Sequence, residues 1–582
     1  MSMQKKTVLE RRTSHFSSDQ LPLDLHPVLR RIYLARGVNT AIELELPLAQ
    51  LAPPTLSNLQ HAAELLAEAI LQQQHIIIVG DFDADGATGT AVAIKGLRLL
   101  GAHNVSYCVP NRFNFGYGLT PPLVDAIVDP NNYQRPDLII TVDNGISSIS
   151  GVAHANSLGI PTIITDHHLP AEQLPDAAAI VNPNLPGDDF PSKSLAGVGV
   201  MFYLLSGIRK ALVQSKAFEN KKPPNLAILL DLVALGTVAD MVPLDVNNRI
   251  LVQQGLRRIR AGKASAGIAA LMMVSGINQR QCNAMDLSWK LAPRLNAAGR
   301  LEDMSIGIEC LLTDDQNQAD ELAAILHGIN EERRSVQAQM QADADIKIEA
   351  LIDNLQHSTL SNKLPNGICL FDKNWHQGVV GLVAGRVKEA LQRPVIALAP
   401  ANQQGIELKG SARSVNGIHI RDMLALLDAN HPGLILKFGG HAMAAGLSLE
   451  TNNLEAFKAA WETTLATQSL PKPTIYSDGE LSNNDLQLSL AKQLEQAGPW
   501  GQAFPEPLFD GKFVVIERRL VGSKHVKLQL SMSSENQGID AIAFFQDIET
   551  YPLNAKLHLA YKLQVNRFRG RESVQLLIEK IL

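Results

Sequence analysis

The chain has 582 residues, of which 46% are hydrophobic and 19% charged, and its formal net charge is −6. That length exceeds one hydrophobic core and asks for two to four domains. The net negative charge excludes attraction of a polyanion by overall charge, so any such site must be a local basic groove.

At the N-terminus, MSMQKKTVLERRTSHF carries charge but no apolar h-region. No run in the chain approaches the ~20 apolar residues of a membrane span, so a cytoplasmic protein with no membrane contact is expected. The four cysteines, Cys108, Cys282, Cys310 and Cys369, have no C-x-x-C spacing; a reducing compartment fits them better than a disulfide framework or zinc ribbon. Residues 1–60 are mixed in character and read as an arm packed on the first domain. From 61 a clear alternation begins. HAAELLAEAILQQQ has helical spacing, HIIIVG reads as a strand, TGTAVAIKGLRLLGA as a helix and NVSYCVP as a strand. PDLIITVDNG and GIPTIITDHH give further strands, with SSISGVAHANSLG as the helix between them. Strands and helices alternating at these lengths predict an α/β fold whose parallel sheet is covered on both faces, over 61–312. Residues 313–355 are polar with few breakers. Leu322, Ile325, Ile329, Val336 and Met340 keep helical spacing there, which predicts one long helix bridging two domains. A second α/β domain is expected over 356–468. In 469–582, period-two stretches such as KHVKLQLS and ESVQLLIEKI predict a small β-barrel.

Three strand-like runs end on acid. HIIIVG leads into Asp81, Asp83 and Asp85, LIITV into Asp143, and TIIT into Asp166, His167 and His168. An EF-hand reading of Asp81-x-Asp-x-Asp-Gly fails, because the twelfth position is Val92 and the preceding segment reads as a strand. In an open parallel sheet, ligands sit outside the carboxyl ends of the strands, so neighbouring strands would bring these groups to one crevice. Two carboxylates ~4 Å apart repel by ~4 kcal/mol at an effective dielectric near 20. Solvated separation, proton sharing or metal could relieve several such pairs, and carboxylates mixed with imidazole favour metal. All-oxygen sites suit Mg2+ or Ca2+, added His suits Mn2+ or another transition metal, and two bridged ions ~3.5–4 Å apart would make a hydrolytic centre for phosphate esters. A further acid comes from LLDLVALGTVADMVPL: Asp240 follows a Gly-Thr turn and is the better candidate, whereas Asp231 reads equally as a cap or core carboxylate. Any one of these aspartates alone reads as a turn or N-cap residue; their coincidence at strand ends favours metal.

The second half offers anion-binding chemistry. Gly439, Gly440 and His441 lie in FGGHAMAAG, where backbone N–H groups can approach an anion, and Ser411 and Arg413 in GSARS offer a hydroxyl and a guanidinium fork. Close packing of small residues explains the glycines without a ligand. Trp375 reads as a base-stacking or a core residue. In the tail, Arg567, Arg569 and Arg571 flank Phe568, as in an OB-type hairpin that holds single strands or a plain solvated one. Arg257, Arg258, Arg260 and Lys263 read as a helix face.

Taken in order, GDFDADG, VDNG, TDHH and GTVADMVPL resemble the motif set of the DHH phosphoesterase superfamily, and SARS followed by KFGGHAMAAG is similar to its companion DHHA1 domain. PNRFNFGYGL, FPSKSLAGVGV, APRLNAAGRL and the β-rich tail resemble its bacterial single-strand-specific 5′→3′ exonucleases. The resemblance implies metal-dependent hydrolysis of single-stranded DNA to 5′-mononucleotides in recombination and repair, by a monomer working with a single-strand binding protein and a helicase. It implies Asp83, Asp85, Asp143, His167 and Asp240 as metal ligands, with Asp81, Asp166 and His168 at or beside the centre. It places Ser411, Arg413 and Arg112 around the terminal 5′-phosphate, and Arg294, Asn296 and Arg300 near the strand; a helix with surface arginines is the plainer reading of RLNAAGR. Val79 stands where many relatives carry a His, which would thin the shell of one ion. The rivals are a phosphodiesterase of the same superfamily acting on very short RNA or cyclic dinucleotides, and a non-catalytic single-strand binding protein.

Overall fold

The computed structural model describes residues 8–14, 20–110, 115–357, 365–375, 377–401, 405–470, 472, 474–522, 525–532 and 538–582; the side chains at 300, 301, 336, 337 and 339–357 fall outside the description. Two compact units result. One comprises Arg11–Arg333 and Ser477–Ile581, the other Arg334–Tyr476 with the chain up to Glu10 and Leu582.

The first unit is centred on strands β1 (Ile76–Gly80), β2 (Val105–Cys108), β3 (Leu138–Val142), β4 (Thr162–Thr165) and β5 (Ala179–Val181). All pair in parallel, in the order β2-β1-β3-β4-β5. The runs are continuously apolar because both faces are covered. Successive side chains point to opposite faces. Ile76 and Ile78 therefore enter the core under the large helices, while Ile77 and Val79 enter a second core with Ile139, Val152 and Ile164. The larger core is made by α1 (Ala84–Leu99), α2 (Gly197–Gln214), α3 (Leu230–Ala239), α4 (Val246–Arg260) and α5 (Ala292–Leu301). A five-residue π-helical turn, Leu287–Leu291, leads directly into α5. The long polar segment is one 42-residue helix, α6 (Gln316–His357), about 60 Å at ~1.5 Å per residue.

The second unit contains β6 (Ile368–Phe371), α7 (Val380–Leu391), β7 (Val395–Pro400), β8 (Glu407–Arg413), β9 (Lys437–Gly440) and β10 (Ala444–Glu450). Its sheet runs β9-β10-β8-β7-β6; only β6 and β7 are parallel. One face packs on helices Ile420–Asn430 and Leu454–Ala466 and the other on α7.

Back in the first unit, β11 (Phe509–Val521), β12 (His525–Ser531), β13 (Ile539–Phe544), β14 (Lys556–Phe568) and β15 (Arg571–Ile581) close into a five-stranded barrel in the order β11-β12-β13-β15-β14. Closure leaves no free edge. Phe513, Leu528 and Tyr561 fill it, and this core is continuous with the helical one. The N-terminal arm packs on the helical core through Leu29 and Ile32, and it also holds the barrel. Arg11 binds both oxygens of Asp510 (3.1 and 2.7 Å), and Arg36 binds both oxygens of Asp478 (2.7 and 3.0 Å). The Arg36 and Asp478 side chains are 2% and 0% exposed. All four cysteines are free thiols. Among the described residues no helix is long and apolar enough to cross a membrane.

Candidate active site

β2 lies on one side of β1 and β3 on the other, so the sheet reverses direction of growth beside β1. That is where open α/β sheets bind ligands. Asp81, Asp83 and Asp85 follow β1, Asp143 follows β3, and Asp166, His167 and His168 follow β4. Because β1, β3 and β4 are neighbours, the groups meet. His167 Nε2 lies 3.0 Å from Asp143 Oδ1, 3.5 Å from Asp240 Oδ2 and 4.0 Å from Asp85 Oδ2. Three overlapping groups, Asp81/Asp83/Asp143, Asp85/His167/Asp240 and Asp143/His167/His168, each have donor atoms within 4.8 Å of one another.

Local structure explains how each group is held. Asp83 caps α1, with Oδ1 accepting the N–H of Asp85 (2.9 Å) and Gly86 (3.0 Å). Cap and ligand are thus compatible on one carboxylate, since only one oxygen serves the helix. Both oxygens of Asp85 accept N–H groups that open α2, from Gly197 (2.7 Å) and Val198 (3.0 Å). Residue 197 must be glycine: a Cβ there would sit 2.6 Å from Asp143 Cβ. Asp143 itself has a left-handed backbone, φ +64°, a strain that clusters at functional sites. Asp240 is the C-cap of α3; the expected Gly-Thr turn is instead helix, because Gly236 and Thr237 continue the buried apolar run against α1. Asp231 is the core carboxylate of its two readings, with Oδ2 accepting the Ser265 N–H at 2.6 Å. Asp166 accepts from the N–H groups of Ile146, His167 and His168, and its Oδ1 lies 2.7 Å from His168 Nδ1.

The electrostatics are those of a site built for cations. Burial, then the charge of Asp83, pushes Asp81 and Asp85 up to about 7. Burial followed by the neighbouring carboxylates raises Asp143 and Asp240 well above the usual range. For His168, burial works against the charged form, but the bond to Asp166 prevails and raises it to about 9. Asp166 is correspondingly held low despite its burial. Among the described residues, Asp81 Oδ1 and Asp143 Oδ1 are buried without a hydrogen-bond partner. Asp143 Oδ1 and His167 Nε2 are separated by the ~3 Å expected of two adjacent ligands on one ion with bonds of ~2.1 Å. These orphaned oxygens, crowded carboxylates and one imidazole fit Mn2+ or Mg2+. Val79 is fully buried in an apolar core with Ile139 and Ile164, and its side chain has no ligand atom to supply at that position.

Several residues of the site were not anticipated. Asn144 Nδ2 donates to Val79 O and Val142 O, both at 3.0 Å, stapling β1 to β3 beside the acids. Asn182 and Asn184 donate to the carbonyls of His168 (2.9 Å) and His167 (2.6 Å), fixing the histidine turn from the end of β5. The Tyr117 ring meets Phe82 and His168 edge-on, with its hydroxyl 3.5 Å from Asp143 O. VNPN and FGYGL carry these residues, but asparagines in turns and an aromatic in a glycine-rich loop have many other uses.

The strand-holding candidates divide. Arg112 lies outside the described residues. Arg294 is 9% exposed, donates to Lys290 O and meets His327 Nδ1 at 3.1 Å. Asn296 Oδ1 accepts the Ala84 N–H at 2.8 Å, so it braces the acidic loop. Arg300 is on α5, with its side chain outside the description. In the second unit, Ser411 on β8 pairs with Gly446, which pairs with Gly439, giving a row of small residues across three strands. Arg413 Nη1 donates to Ser411 Oγ at 2.8 Å. Arg413 Nη2 lies 3.1 Å from where a Cβ on Gly381 would stand, so the guanidinium covers the first turn of α7. Gly440 and His441 open the exposed β9–β10 turn, where the His441 N–H donates to Ala444 O. Trp375 packs on the apolar cluster under α7. On the barrel, Arg567 is engaged by Glu495 and Glu572, while Arg569 lies 5.2 Å over the exposed Phe568 ring. Arg257 and Arg258 bond to carbonyls of Glu45 and Lys263, as a helix face does.

Residues 75–237 match the model of the DHH family N-terminal domain, 362–467 that of the DHHA1 domain and 477–580 that of the RecJ OB domain. The single-stranded-DNA-specific exonuclease RecJ of Salmonella typhimurium is 50% identical over 100% of both chains. The chain belongs to the RecJ family. The crystal structure of RecJ from Thermus thermophilus in complex with Mn2+ is 30% identical, with a TM-score of 0.78 over 100% of this chain and 80% of that one. The same RecJ in complex with Mg2+ gives 0.69 over 95% and 74%. The expected RecJ-type architecture, a parallel-sheet DHH domain, a DHHA1 domain and an OB barrel, is the one observed.

Proposed function

We propose that this chain is a metal-dependent exonuclease that hydrolyses single-stranded DNA from a 5′ end, releasing 5′-mononucleotides. The observation that carries it is the meeting of Asp81, Asp83, Asp85, Asp143, His167 and Asp240 within a few ångströms at the ends of β1, β3 and β4 and of α3. These residues would hold Mn2+ or Mg2+. Ions of that kind neutralise phosphate charge and supply an activated water near neutral pH.

The chain's own residues do the rest. Asp83 ties the ligand loop to α1, and the α2 amides fix Asp85 so that it cannot rotate away from His167. His168, whose Nδ1 lies 2.7 Å from Asp166 Oδ1, is held beside the carboxylates by that bond and suits stabilisation of the developing negative charge of a leaving 3′-oxygen. Ser411, Arg413 and the first turn of α7 form an anion-binding corner of the second unit, suited to a terminal phosphate, with His441, Gly439, Gly440 and Arg112 assigned to the same task. The same reading has a cytoplasmic monomer that works with a single-strand binding protein and a helicase.

Timed digestion of end-labelled single and double strands with Mn2+, Mg2+ or chelator tests the reading. Loss of label from single strands only, and only with metal, supports it. A dinucleotide degraded faster than a long strand would favour the small-substrate phosphodiesterase, and metal-independent binding without products would favour a binding protein.

A further inference from the structure

A cavity of about 440 Å³ opens in the first unit between the catalytic helices and the barrel. Its floor is apolar: Leu256 of α4, Leu494, Trp500 and Val565 of β14. Trp289 stands at its rim, 61% exposed, on the π-helical turn Leu287–Leu291. Such turns occur mostly as single bulges inside α-helices, frequently at functional sites. Every carboxylate lining the cavity is already matched: Asp286 to Lys290 (2.8 Å), Glu495 to Arg567 (2.7 Å) and Glu506 to Lys562 (2.8 Å). Two donors are not. The guanidinium of Arg260 makes one bond among the described residues, Nε to Cys282 O at 2.7 Å, and no ion pair; burial lowers its pKa. The Gln564 amide has no hydrogen-bond partner among the described residues.

The unused chemistry is a flat ring face, a donor fork and an amide above an apolar floor. A carboxylate-rich ligand would meet three acids, and a plain hydrocarbon would leave Arg260 desolvated. A planar heterocycle with an acceptor edge satisfies all of it: the face stacks on indole and the edge takes two N–H groups from arginine. We infer that this cavity is a nucleobase site, with Trp289 as the stacking platform and Arg260 and Gln564 as the edge donors. The base belongs either to a released mononucleotide or to a bound single strand, and this part rests on the proposed nuclease reaction.

The site is wired to the catalytic loop. The turn bearing Trp289 runs straight into α5, whose Asn296 holds the Ala84 N–H and whose Gly299 sits against Phe82 O, where a Cβ would be 1.8 Å away. A base drawn onto Trp289 therefore pulls on a rigid element that ends on the acidic loop.

The test uses the full-length, Mn2+-loaded protein. Calorimetric titration with dGMP is expected to show a binding event that deoxyribose 5-phosphate does not give, absent in Trp289→Ala and weakened about ten-fold in Arg260→Gln. If the base comes from the strand instead, Trp289→Ala raises KM for a long single strand about ten-fold with kcat held, and leaves KM for a dinucleotide unchanged. Unaltered melting midpoints show that the variants fold. Base-dependent nucleotide binding and long-strand KM both unchanged in Trp289→Ala would overturn the inference. Failure of the wild-type chain to degrade single strands would instead overturn the nuclease reading, while the dGMP titration stands independently.

Discussion

His167 stands among crowded carboxylates, and the energetics of the centre turn on that crowding. His167→Ala should cut single-strand hydrolysis by about 10²–10⁴-fold, with the circular dichroism spectrum unchanged. Asn184→Ala removes only the brace on the His167 carbonyl, so a fall of about 10–100-fold is expected, with more metal needed for half-maximal rate. The acids also set a pH signature. Asp81 and Asp85 sit at about 7 in the fold against ~3.9 for an unfolded aspartate, so between those values the folded chain binds more protons than the unfolded one. Their contribution is fully present below ~4 and is lost as pH rises through 7. His168, raised to about 9 from ~6.5, contributes fully below ~6.5 and loses that contribution as pH rises through 9, in the same sense. Metal-free protein should therefore melt higher at pH 6 than at pH 8.5. Mn2+ should abolish most of that difference and release protons, measurable by titration in buffers of different ionisation enthalpy.

Among the elements, the arm and the barrel share the contact whose loss costs most. Arg36 and Asp478 are buried together with two hydrogen bonds, and removing Arg36 leaves buried Asp478 with only the longer contact to Arg12 (3.3 Å) as its ion pair among the described residues. Arg36→Ala should cost about 3–5 kcal/mol in denaturant unfolding, far more than loss of the exposed pair Lys458–Glu455. On β8, Arg413→Ala should reduce the preference for a 5′-phosphorylated over a 5′-hydroxyl strand about ten-fold or more, read as the ratio of kcat/KM values. Elements of this kind were unevenly legible. Strands β1, β3 and β4 were plain because apolar runs ended on acids, and the 42-residue helix because its apolar spacing met few breakers. The turn assigned before Asp240 failed because Gly236 is there for close packing, which a glycine in a sequence does not distinguish from a turn. The burial of Arg294 and the bond from the Ala84 N–H to Asn296 Oδ1 were not legible in RLNAAGR, because both depend on which elements pack against α5. The backbone braces Asn144, Asn182 and Asn184 depend on which strands are neighbours, and pairing order is a long-range property.

For the whole molecule, the two units keep separate cores: one continuous through helices and barrel, the other confined to 334–476 and its sheet. Calorimetry should resolve two unfolding transitions. Mn2+ should raise only the one belonging to the unit with the acidic cluster, since a ligand stabilises what it binds. A single transition shifted as a whole would contradict that independence.

The buried Arg36–Asp478 pair spans 442 residues of chain. A ribosome makes ~5–20 residues per second, so Arg36 waits from ~20 s to ~90 s for its carboxylate to be synthesised. Through that interval the nascent catalytic domain holds an unmatched charge where the last domain will dock. The final hundred residues thus act as the closing step of folding, and a message cut short before them yields a chain that has its metal ligands but not its keystone.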